Sequence, residues 1–277
     1  MNSCNTYELS AKYYDSAYKM INLVDVDFYV GLAKKIDGPV LEVGCGTGRV
    51  LMEIARAGIE IHGVDKSSAM LAVLREKLKL EPKKVQNRIT IHSADMRTMH
   101  LNKTYPLIII PFRPLQHLHT MEDQLTALRT AAVHMNSDGR LVFDVFYPQL
   151  DAILSGIGKE YFDMEWTIEG KPGMIIRRFY RKEYVDKINQ NFRGTFIFRT
   201  FKDEDLICEE TAPLHMTWYY YPEVRALLAL AGLEIVDEYG SFTRSPLDNS
   251  SSEMIFLVKK WNNRKKRDIC RTINSII

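Results

Sequence analysis

The 277-residue sequence has few cysteines, no long apolar run and almost no net charge. Its four cysteines, Cys4, Cys45, Cys208 and Cys270, are widely spaced and form no C-x-x-C pair, which supports neither a disulfide framework nor a zinc site. No apolar stretch approaches the roughly 20 residues that cross a bilayer. The first residues also lack the basic-then-apolar pattern of a signal peptide. These absences predict a cytoplasmic protein without a membrane span, and we predict no metal site.

The charge balance argues against a further class of partner. The chain has 37 Lys and Arg residues against 35 Asp and Glu residues, for a formal net charge of +2. Such a balance gives no overall reason to expect a nucleic acid or an acidic partner. The C-terminal tail, residues 261–277, is basic, but a terminal run of charge is more often simply solvated. Nucleic acid is therefore a disfavoured partner.

Between residues 38 and 147, short β-branched runs alternate with longer segments of helical period. Continuous apolar strands separated by helices are typical of a parallel sheet covered on both faces. The sequence therefore predicts an α/β fold with a doubly wound, Rossmann-like sheet. The strands are expected at Val40–Val43, Glu60–Val64, Ile89–His92, Leu107–Ile110 and Leu141–Phe146. The helix before the last of these should extend to Met135, with Gly139 ending the turn that follows.

The pattern changes after Pro148. Residues from about 161 to 218 alternate as β-strands do and predict an antiparallel insert. A helix that ends at Gly232 and two more strands would then complete the sheet that begins at residue 40. The predicted organisation is a core of residues 1–150 and 219–260, an insert of residues 151–218 and the basic tail.

The most informative stretch is the loop Gly44-Cys45-Gly46-Thr47-Gly48, between the first strand and a helix. Glycines there let the backbone turn sharply and let a ligand lie on main-chain N–H groups at a helix N-terminus. The dinucleotide fingerprint G-x-G-x-x-G is absent, because Arg49 stands at its third glycine and should obstruct close helix–strand packing. A P-loop would need Gly-Lys-Ser/Thr. The loop therefore disfavours a nicotinamide oxidoreductase.

Two acidic residues sharpen this interpretation. Asp65 ends the second strand, about 20 residues beyond the loop, where an acid can accept hydrogen bonds from both ribose hydroxyls. Asp95 follows the third strand, where a carboxylate could accept from an exocyclic adenine amine. Together with the glycines they predict a pocket for adenine, ribose and a third group. The alternatives are a plain tight turn at the glycines, a helix cap at Asp65 and a turn residue at Asp95.

These motifs together resemble those of class I S-adenosylmethionine-dependent methyltransferases. The resemblance is carried by Glu42–Gly48, Gly63–Asp65, Ser68–Leu71, Ala94–Met96 and Asp138–Val142, and it covers roughly residues 8–147 and the closing strands. It implies a seven-stranded sheet, S-adenosylmethionine as cofactor and S-adenosylhomocysteine as product. The implied cofactor site comprises Tyr13, Tyr14, Glu42, Gly44, Cys45, Gly46, Gly48, Asp65, Lys66, Met70, Asp95, Met96 and Pro111. In it the glycines cradle the methionine moiety, Glu42 lies near its amino group, Asp65 holds the ribose, and Asp95 and Met96 hold the adenine.

In this architecture the end of the fourth strand lies beside the reactive sulfonium. Methyl transfer is an in-line displacement, so the enzyme mainly aligns the acceptor and keeps its lone pair available. His117 is the first candidate for a catalytic base and His119 the second, since the ordinary pKa of histidine, about 6.5, suits that task. Either could instead pack or cap the next helix. Arg113 could clamp an acidic group of the substrate or pair with an acid on the insert.

Several acceptor chemistries lack their motifs. The fourth strand is not followed by Asn/Asp-Pro-Pro-Tyr or by the acid of metal-dependent catechol enzymes, and no Pro-Cys dipeptide occurs. A small-molecule acceptor methylated on nitrogen or oxygen remains, similar to the acceptors of amino-sugar and glycine-type N-methyltransferases. In such enzymes a tyrosine-rich leader folds over the donor, which makes residues 1–37 a predicted lid with Tyr13, Tyr14 and Tyr18 as candidates. Their insert walls the acceptor pocket and forms dimers, which predicts a homodimer. The rival functions are an RNA-modifying methyltransferase that uses the basic tail and a noncatalytic donor-binding protein.

Overall fold

A computed structural model describes residues 8–19, 24–168 and 170–261 of the chain. These residues form a seven-stranded sheet, a four-stranded sheet and the helices that pack on them. The helices are α1 (Glu8–Lys19), α2 (Asp25–Ala33), α3 (Arg49–Arg56), α4 (Ser68–Lys79), α5 (Lys83–Gln86), α6 (Met121–Val133), α7 (Leu150–Leu154) and α8 (Tyr221–Leu230). The strands are β1 (Val40–Val43), β2 (Ile61–Asp65), β3 (Ile89–Ser93), β4 (Tyr105–Ile110), β5 (Met135–Phe146), β6 (Glu160–Thr167), β7 (Met174–Asp186), β8 (Asn191–Lys202), β9 (Asp205–Thr217), β10 (Leu233–Tyr239) and β11 (Glu253–Lys260).

The large sheet has the order β10-β11-β5-β4-β1-β2-β3. Strands β1 to β5 pair in parallel, and β11 runs antiparallel to both β5 and β10. Val40 of β1 is level with Ile61 of β2 and Leu107 of β4, so the carboxyl ends of these strands meet at one edge. The predicted doubly wound α/β fold is confirmed.

Each face of the large sheet carries its own apolar core. One face packs against α6 and α8. The other packs against α2, α3, α4 and α5. Residues of β1 contribute to both cores: Leu41 and Val43 to the first, and Val40 to the second. Burial on both faces explains why the strands are continuous apolar runs.

The four-stranded sheet is the predicted antiparallel insert. Its order, β6-β7-β8-β9, is a meander, and Asp203 and Glu204 form the last hairpin turn with positive φ angles of 49° and 74°. On one face, Trp166, Ile176, Phe198 and Ala212 pack with Tyr13 and Ala17 of α1. Helix α1 is therefore packed on the insert sheet.

The sequence expectation misplaced the junction between α6 and β5. The helix ends at Val133, and both Met135 and Gly139 lie in β5. The carbonyl of His134 accepts a hydrogen bond from the Tyr105 amide at 2.8 Å, and Met135 pairs with Tyr105 of β4. The helix therefore ends before its apolar pattern does, because pairing with β4 overrides the local helical preference at Met135.

Two sequence expectations fall wholly or partly outside the described residues. Residues 262–277 of the basic tail and residues 1–7 and 20–23 of the predicted lid belong to those parts. Within the described ranges, Lys259 pairs with Glu234, and Lys260 donates a hydrogen bond to the Met135 carbonyl. In the same ranges we find no helix long and apolar enough to cross a membrane and no group of three metal-ligating side chains.

Candidate active site

The glycine loop follows β1 in a conformation that glycine favours. Gly44, Gly46 and Gly48 all have positive φ angles, of 76°, 53° and 82°. A Cβ atom on Gly44 would lie 2.6 Å from Cγ of Pro114, whereas one on Gly46 would meet nothing within 4 Å. Gly44 therefore allows close approach of the Pro114 turn. The backbone of Gly46 is open to a cavity that lies at the carboxyl ends of β1 and β2.

Asp65 closes this cavity at the end of β2. Its Oδ2 accepts a hydrogen bond from the Gly46 amide at 2.8 Å, and its Oδ1 accepts one from the Ser67 amide at 2.8 Å. Burial raises the pKa of Asp65, while these two amides oppose the rise. Each carboxylate oxygen has two lone pairs, so both oxygens keep the capacity to accept from a ligand hydroxyl. The helix that follows is capped by Ser67, whose hydroxyl accepts from the Met70 amide.

Asp95 also lines the cavity, but it is held by a neighbour that the sequence did not suggest. Arg97 donates from Nε to Oδ1 at 3.0 Å and from Nη2 to Oδ2 at 2.7 Å. This guanidinium lowers the pKa of Asp95 and in turn pairs with Asp123. A ligand amine at Asp95 would therefore share its oxygens with Arg97.

Glu42 lies buried in β1, just before the glycine loop. It is 2% exposed, and its Oε2 has no hydrogen-bond partner among the described residues. Burial raises the pKa of Glu42 well above its ordinary value, against the opposing effect of Arg49. Buried carboxylate oxygens normally have a partner, so the lack of one at this atom is unusual.

Arg49 does not obstruct the packing of α3, contrary to the sequence expectation. It forms a two-pronged ion pair with Asp25 of α2, with N···O distances of 2.7 and 2.6 Å. Its guanidinium also lies over the Phe112 ring, 4.8 Å from the centroid. Arg49 therefore ties α2 and α3 to the loop after β4 and compensates buried acidic charge.

The chain turns sharply after β4. Phe112 and Arg113 both have positive φ angles, 65° and 71°, and a 3₁₀ turn at Pro114–His117 follows. The Phe112 amide donates to Oδ1 of Asp144 at 2.8 Å, which anchors this left-handed pair. Arg113 pairs with Glu253 of β11. The expectation that an acid of the insert would pair with Arg113 is therefore wrong, since Glu253 belongs to the large sheet.

His117 comes from the same turn and is half-buried. Its Nδ1 lies 3.2 Å from the His215 carbonyl oxygen, and burial lowers its pKa to about 4. The expectation of an ordinary pKa near 6.5 is wrong, because the fold removes the ring from water. His119 also contacts this carbonyl at 3.2 Å through Nε2 and stacks on the His215 ring. It does not line the cavity.

The structure gathers most of the predicted cofactor residues around one cavity. The predicted residues that line it are Tyr14, Gly44, Gly46, Asp65, Lys66, Met70, Asp95, Met96, Pro111 and His117. Sequence reasoning did not assign a site role to the lining residues Val64, Ala94, Phe112, Pro114 and Leu118. We call this space the donor cavity.

Five predicted site residues lie outside the donor cavity lining: Tyr13, Glu42, Cys45, Gly48 and Arg113. Cys45 is buried, and burial raises the pKa of its thiol. Gly48 precedes the first residue of α3. Tyr13 stacks on Phe198 at 4.5 Å and donates its hydroxyl to Glu210 of the insert. Tyr13 and Arg113 instead line a second cavity, beneath the insert.

Helix α1 contacts both the glycine loop and the insert. Asp15 accepts hydrogen bonds from the Thr47 hydroxyl at 2.7 Å and from Lys77 at 2.8 Å. Lys12 pairs with Glu210 at 2.7 Å on the other side. Tyr14, Phe112 and His117 line both the donor cavity and the second cavity. These three side chains therefore mark the junction of the two spaces.

Glu253 makes folding stability depend on pH. Burial raises its pKa to about 7, despite its pairing with Arg113. Between the ordinary pKa of 4.5 and this value, the folded state holds a proton that the unfolded state has lost, so stability falls as pH rises. We expect the free energy of unfolding to fall between pH 4.5 and pH 8, and this fall should be roughly 1–3 kcal/mol larger in wild type than in Glu253→Gln.

Urea denaturation at both pH values measures this difference. Glu122→Gln, an exposed change in the first turn of α6, is the matched control and should follow the wild-type profile. Parallel profiles for wild type and Glu253→Gln would contradict the expectation.

Comparison with known proteins finds a family match for part of the chain. Residues 40–139 match the family described as a methyltransferase domain. The cypemycin N-terminal methyltransferase of a Streptomyces species is 23% identical over 233 residues, covering 84% of this chain and 87% of the relative.

Solved structures share the fold. The CcbJ methyltransferase from Streptomyces caelestis aligns with a TM-score of 0.69 at 24% identity, covering 86% of this chain and 89% of that chain. CalS10 from Micromonospora echinaspora, an amino pentose methyltransferase solved with S-adenosylmethionine bound, aligns with a TM-score of 0.67 at 20% identity. This second alignment covers 90% of this chain and 96% of that chain.

The family match starts at β1 and includes the glycine loop, Asp65 and Asp95, which are the motifs that carried the sequence resemblance. The matched residues also include β4 and the turn that holds His117. Residues 40–139 therefore form a methyltransferase domain, and these similarities together support an enzyme that uses S-adenosylmethionine as its methyl donor.

Proposed function

We propose that this enzyme methylates an amine nitrogen of a small molecule, with the donor in the donor cavity and the amine beside His117. The observation that carries the proposal is the junction formed by Tyr14, Phe112 and His117, which line both cavities. A donor in one space and an acceptor in the other would meet there. Nitrogen is favoured over oxygen because the relatives named above include an N-terminal methyltransferase and an amino pentose methyltransferase.

The residues around the donor cavity fit S-adenosylmethionine. The unpartnered Oε2 of Glu42 suits the amino group of the methionine moiety, and the open backbone at Gly46 suits its carboxylate. Asp65 has lone pairs for two ribose hydroxyls. When bound, the donor supplies a methyl group activated by a cationic sulfur.

In this proposal His117 orients the acceptor. The carbonyl of His215 can only accept, so Nδ1 of His117 carries the proton of the neutral ring and Nε2 carries a lone pair. With a pKa of about 4, the ring is neutral at pH 7 and too weak a base to deprotonate an alkylammonium ion. It can accept a hydrogen bond from an amine that arrives as the free base. The nitrogen lone pair then forms the N–C bond as the S–C bond breaks, and the proton leaves to solvent.

Two measurements test the proposed function directly. Calorimetry should detect binding of S-adenosylmethionine and S-adenosylhomocysteine, and mass spectrometry should detect an amine product heavier by one CH₂ unit. Failure of both compounds to bind would refute the proposed donor site. Donor binding without a methylated product across a broad amine panel would favour the noncatalytic alternative.

We expect His117→Ala to lower turnover by about 10- to 100-fold while donor affinity stays unchanged, because the variant loses orientation of the amine and not a donor contact. Turnover of a methylated amine and calorimetry of the donor are the two readouts. His100→Ala removes an exposed histidine and is the matched control. Equal turnover in wild type and His117→Ala would mean that another group orients the acceptor.

The remaining expectations stay predictions. A cytoplasmic location and a small-molecule acceptor without nucleic acid are proposed on the grounds given by the sequence. A homodimer through the insert is also proposed, and its two outer strands do carry exposed apolar residues, namely Tyr161, Phe162, Leu206 and Ile207. The RNA-modifying alternative rests on the basic tail, whose charged residues lie outside the described residues; the two lysines that precede it, Lys259 and Lys260, are engaged within the fold.

A further inference from the structure

Beneath the insert lie two adjoining cavities that we together call the acceptor chamber. Their volumes are about 310 and 470 Å³, and both are lined by Arg178, Phe192, Phe196 and Leu214. The smaller one reaches the junction with the donor cavity at His117. The larger one extends away from that junction toward α7 and Lys182. The chamber therefore has room for a molecule whose reactive end meets the donor and whose body extends under the insert.

The chamber wall is mainly aromatic and apolar. Residues opposite each other in an antiparallel pair share a face, and Tyr180 is level with Phe196, and Arg178 with Phe198. The apolar and aromatic lining residues are Tyr13, Tyr14, Tyr18, Phe112, Phe146, Tyr147, Ala152, Ile153, Tyr180, Phe192, Phe196, Phe198, Pro213, Leu214 and Met216. Such a wall favours an apolar body through area burial, and aromatic faces also attract an amine cation.

The cationic side chains in the wall are engaged. Arg113 pairs with Glu253, and Nε of Arg178 donates to Asp163 at 2.5 Å. Nζ of Lys182 donates to the carbonyl oxygens of Ala152, Ile153 and Ser155. Nε of Arg113 is buried and has no hydrogen-bond partner among the described residues, so the engagement of this side chain is through Nη2 and Glu253. Arg113 and Arg178 are each already paired with an acid, which disfavours a nucleotide-linked phosphate in the chamber.

The wall also contains a buried hydroxyl without such an engagement. The Tyr180 hydroxyl is buried and has no hydrogen-bond partner among the described residues. The ring lies over Gly194, where a Cβ atom would come within 2.6 Å of the hydroxyl oxygen. A buried hydroxyl without a partner is costly unless a ligand supplies one. Tyr180 lines the larger cavity, away from His117.

From these observations we propose that the acceptor is an amine carried by an apolar or aromatic body without a phosphate, and that the Tyr180 hydroxyl hydrogen-bonds a polar group at the far end of that body. The inference rests on the proposed function, because it takes the end near His117 as the reacting end. It adds a substrate class and a specificity-determining residue.

Calorimetry on the enzyme saturated with S-adenosylhomocysteine tests the substrate class. The probes are 2-phenylethylamine and tyramine against glucosamine and UDP-glucosamine, which are polar amines without and with phosphates. We expect the two aromatic amines to bind at least tenfold more tightly than either polar amine. Equal or tighter binding of UDP-glucosamine would overturn the proposed class, and so would absence of binding by both aromatic amines at millimolar concentration.

The same experiment separates this inference from the proposed function. Binding of S-adenosylhomocysteine is measured first, and its absence would remove the donor site itself. When S-adenosylhomocysteine binds and the aromatic amines do not, the result contradicts only the proposed class of acceptor and leaves the donor site in place.

Tyr180→Phe tests the specificity residue. We expect a five- to tenfold loss in tyramine affinity and no change for 2-phenylethylamine, which lacks the distal hydroxyl. Tyr184→Phe makes the same chemical change at an exposed position on the same strand, and it should alter neither affinity. Unchanged tyramine affinity in Tyr180→Phe, or an equal loss for both amines, would overturn the assignment.

Discussion

Asp65→Ala is expected to weaken S-adenosylmethionine binding by about 1.5–3 kcal/mol, or roughly 10- to 150-fold in Kd. The carboxylate is proposed to accept hydrogen bonds from the ribose, and charge-assisted bonds of this kind are stronger than neutral ones. It also holds the amides of Gly46 and Ser67, so the variant loses part of the loop's preorganisation as well. Calorimetry of donor binding measures the effect.

Controls separate a ligand contact from general damage to the fold. Asp138→Ala removes an exposed carboxylate from β5 and should leave donor affinity unchanged. Asp65→Asn keeps one side-chain oxygen that can accept a hydrogen bond, so it should lose less donor affinity than Asp65→Ala. If Asp65→Ala bound the donor as wild type does, the ribose assignment would be wrong.

Asp25→Ala is expected to lower the free energy of unfolding by about 3–5 kcal/mol. Asp25 is 1% exposed and is the two-pronged partner of Arg49, whose side chain is only 17% exposed. Removing the acid leaves a buried guanidinium without its main compensation, which costs far more than an exposed pair is worth. Urea denaturation followed by circular dichroism provides the measurement.

Two further variants make this expectation specific. Asp27→Ala changes an exposed acid two residues further along α2 and should have little effect on stability. The double variant Asp25→Leu with Arg49→Met removes both charges, and it should recover part of the loss because apolar replacements of buried pairs are often tolerated. A loss below 1 kcal/mol for Asp25→Ala would show that the pair is not an important buried contact.

The sequence predicted the donor cavity because its motifs are local. The glycine loop, Asp65 and Asp95 each follow a parallel strand, and parallel strands bring their carboxyl ends to one edge. The strand ends could therefore be placed together without any knowledge of distant contacts. The alternative of a helix cap at Asp65 was misplaced by two residues, because the side chain that caps α4 is that of Ser67.

Other features depend on partners far apart in the chain. Arg113 meets Glu253 across 140 positions, and no local pattern predicts such a pair. The left-handed backbone of Phe112 and Arg113 has no sequence signal, because non-glycine residues seldom adopt it. The lowered pKa of His117 arises from burial under the insert, which only the folded chain provides.

Helix α1 has a consequence for how the two ligands reach their places. Its Asp15 contacts the glycine-loop side through Thr47 and Lys77, and its Lys12 and Tyr13 contact the insert through Glu210. A swing of this helix would break both sets of contacts at once. The donor cavity and the second cavity would then open together, so that exchange of either ligand would also expose the other ligand to solvent.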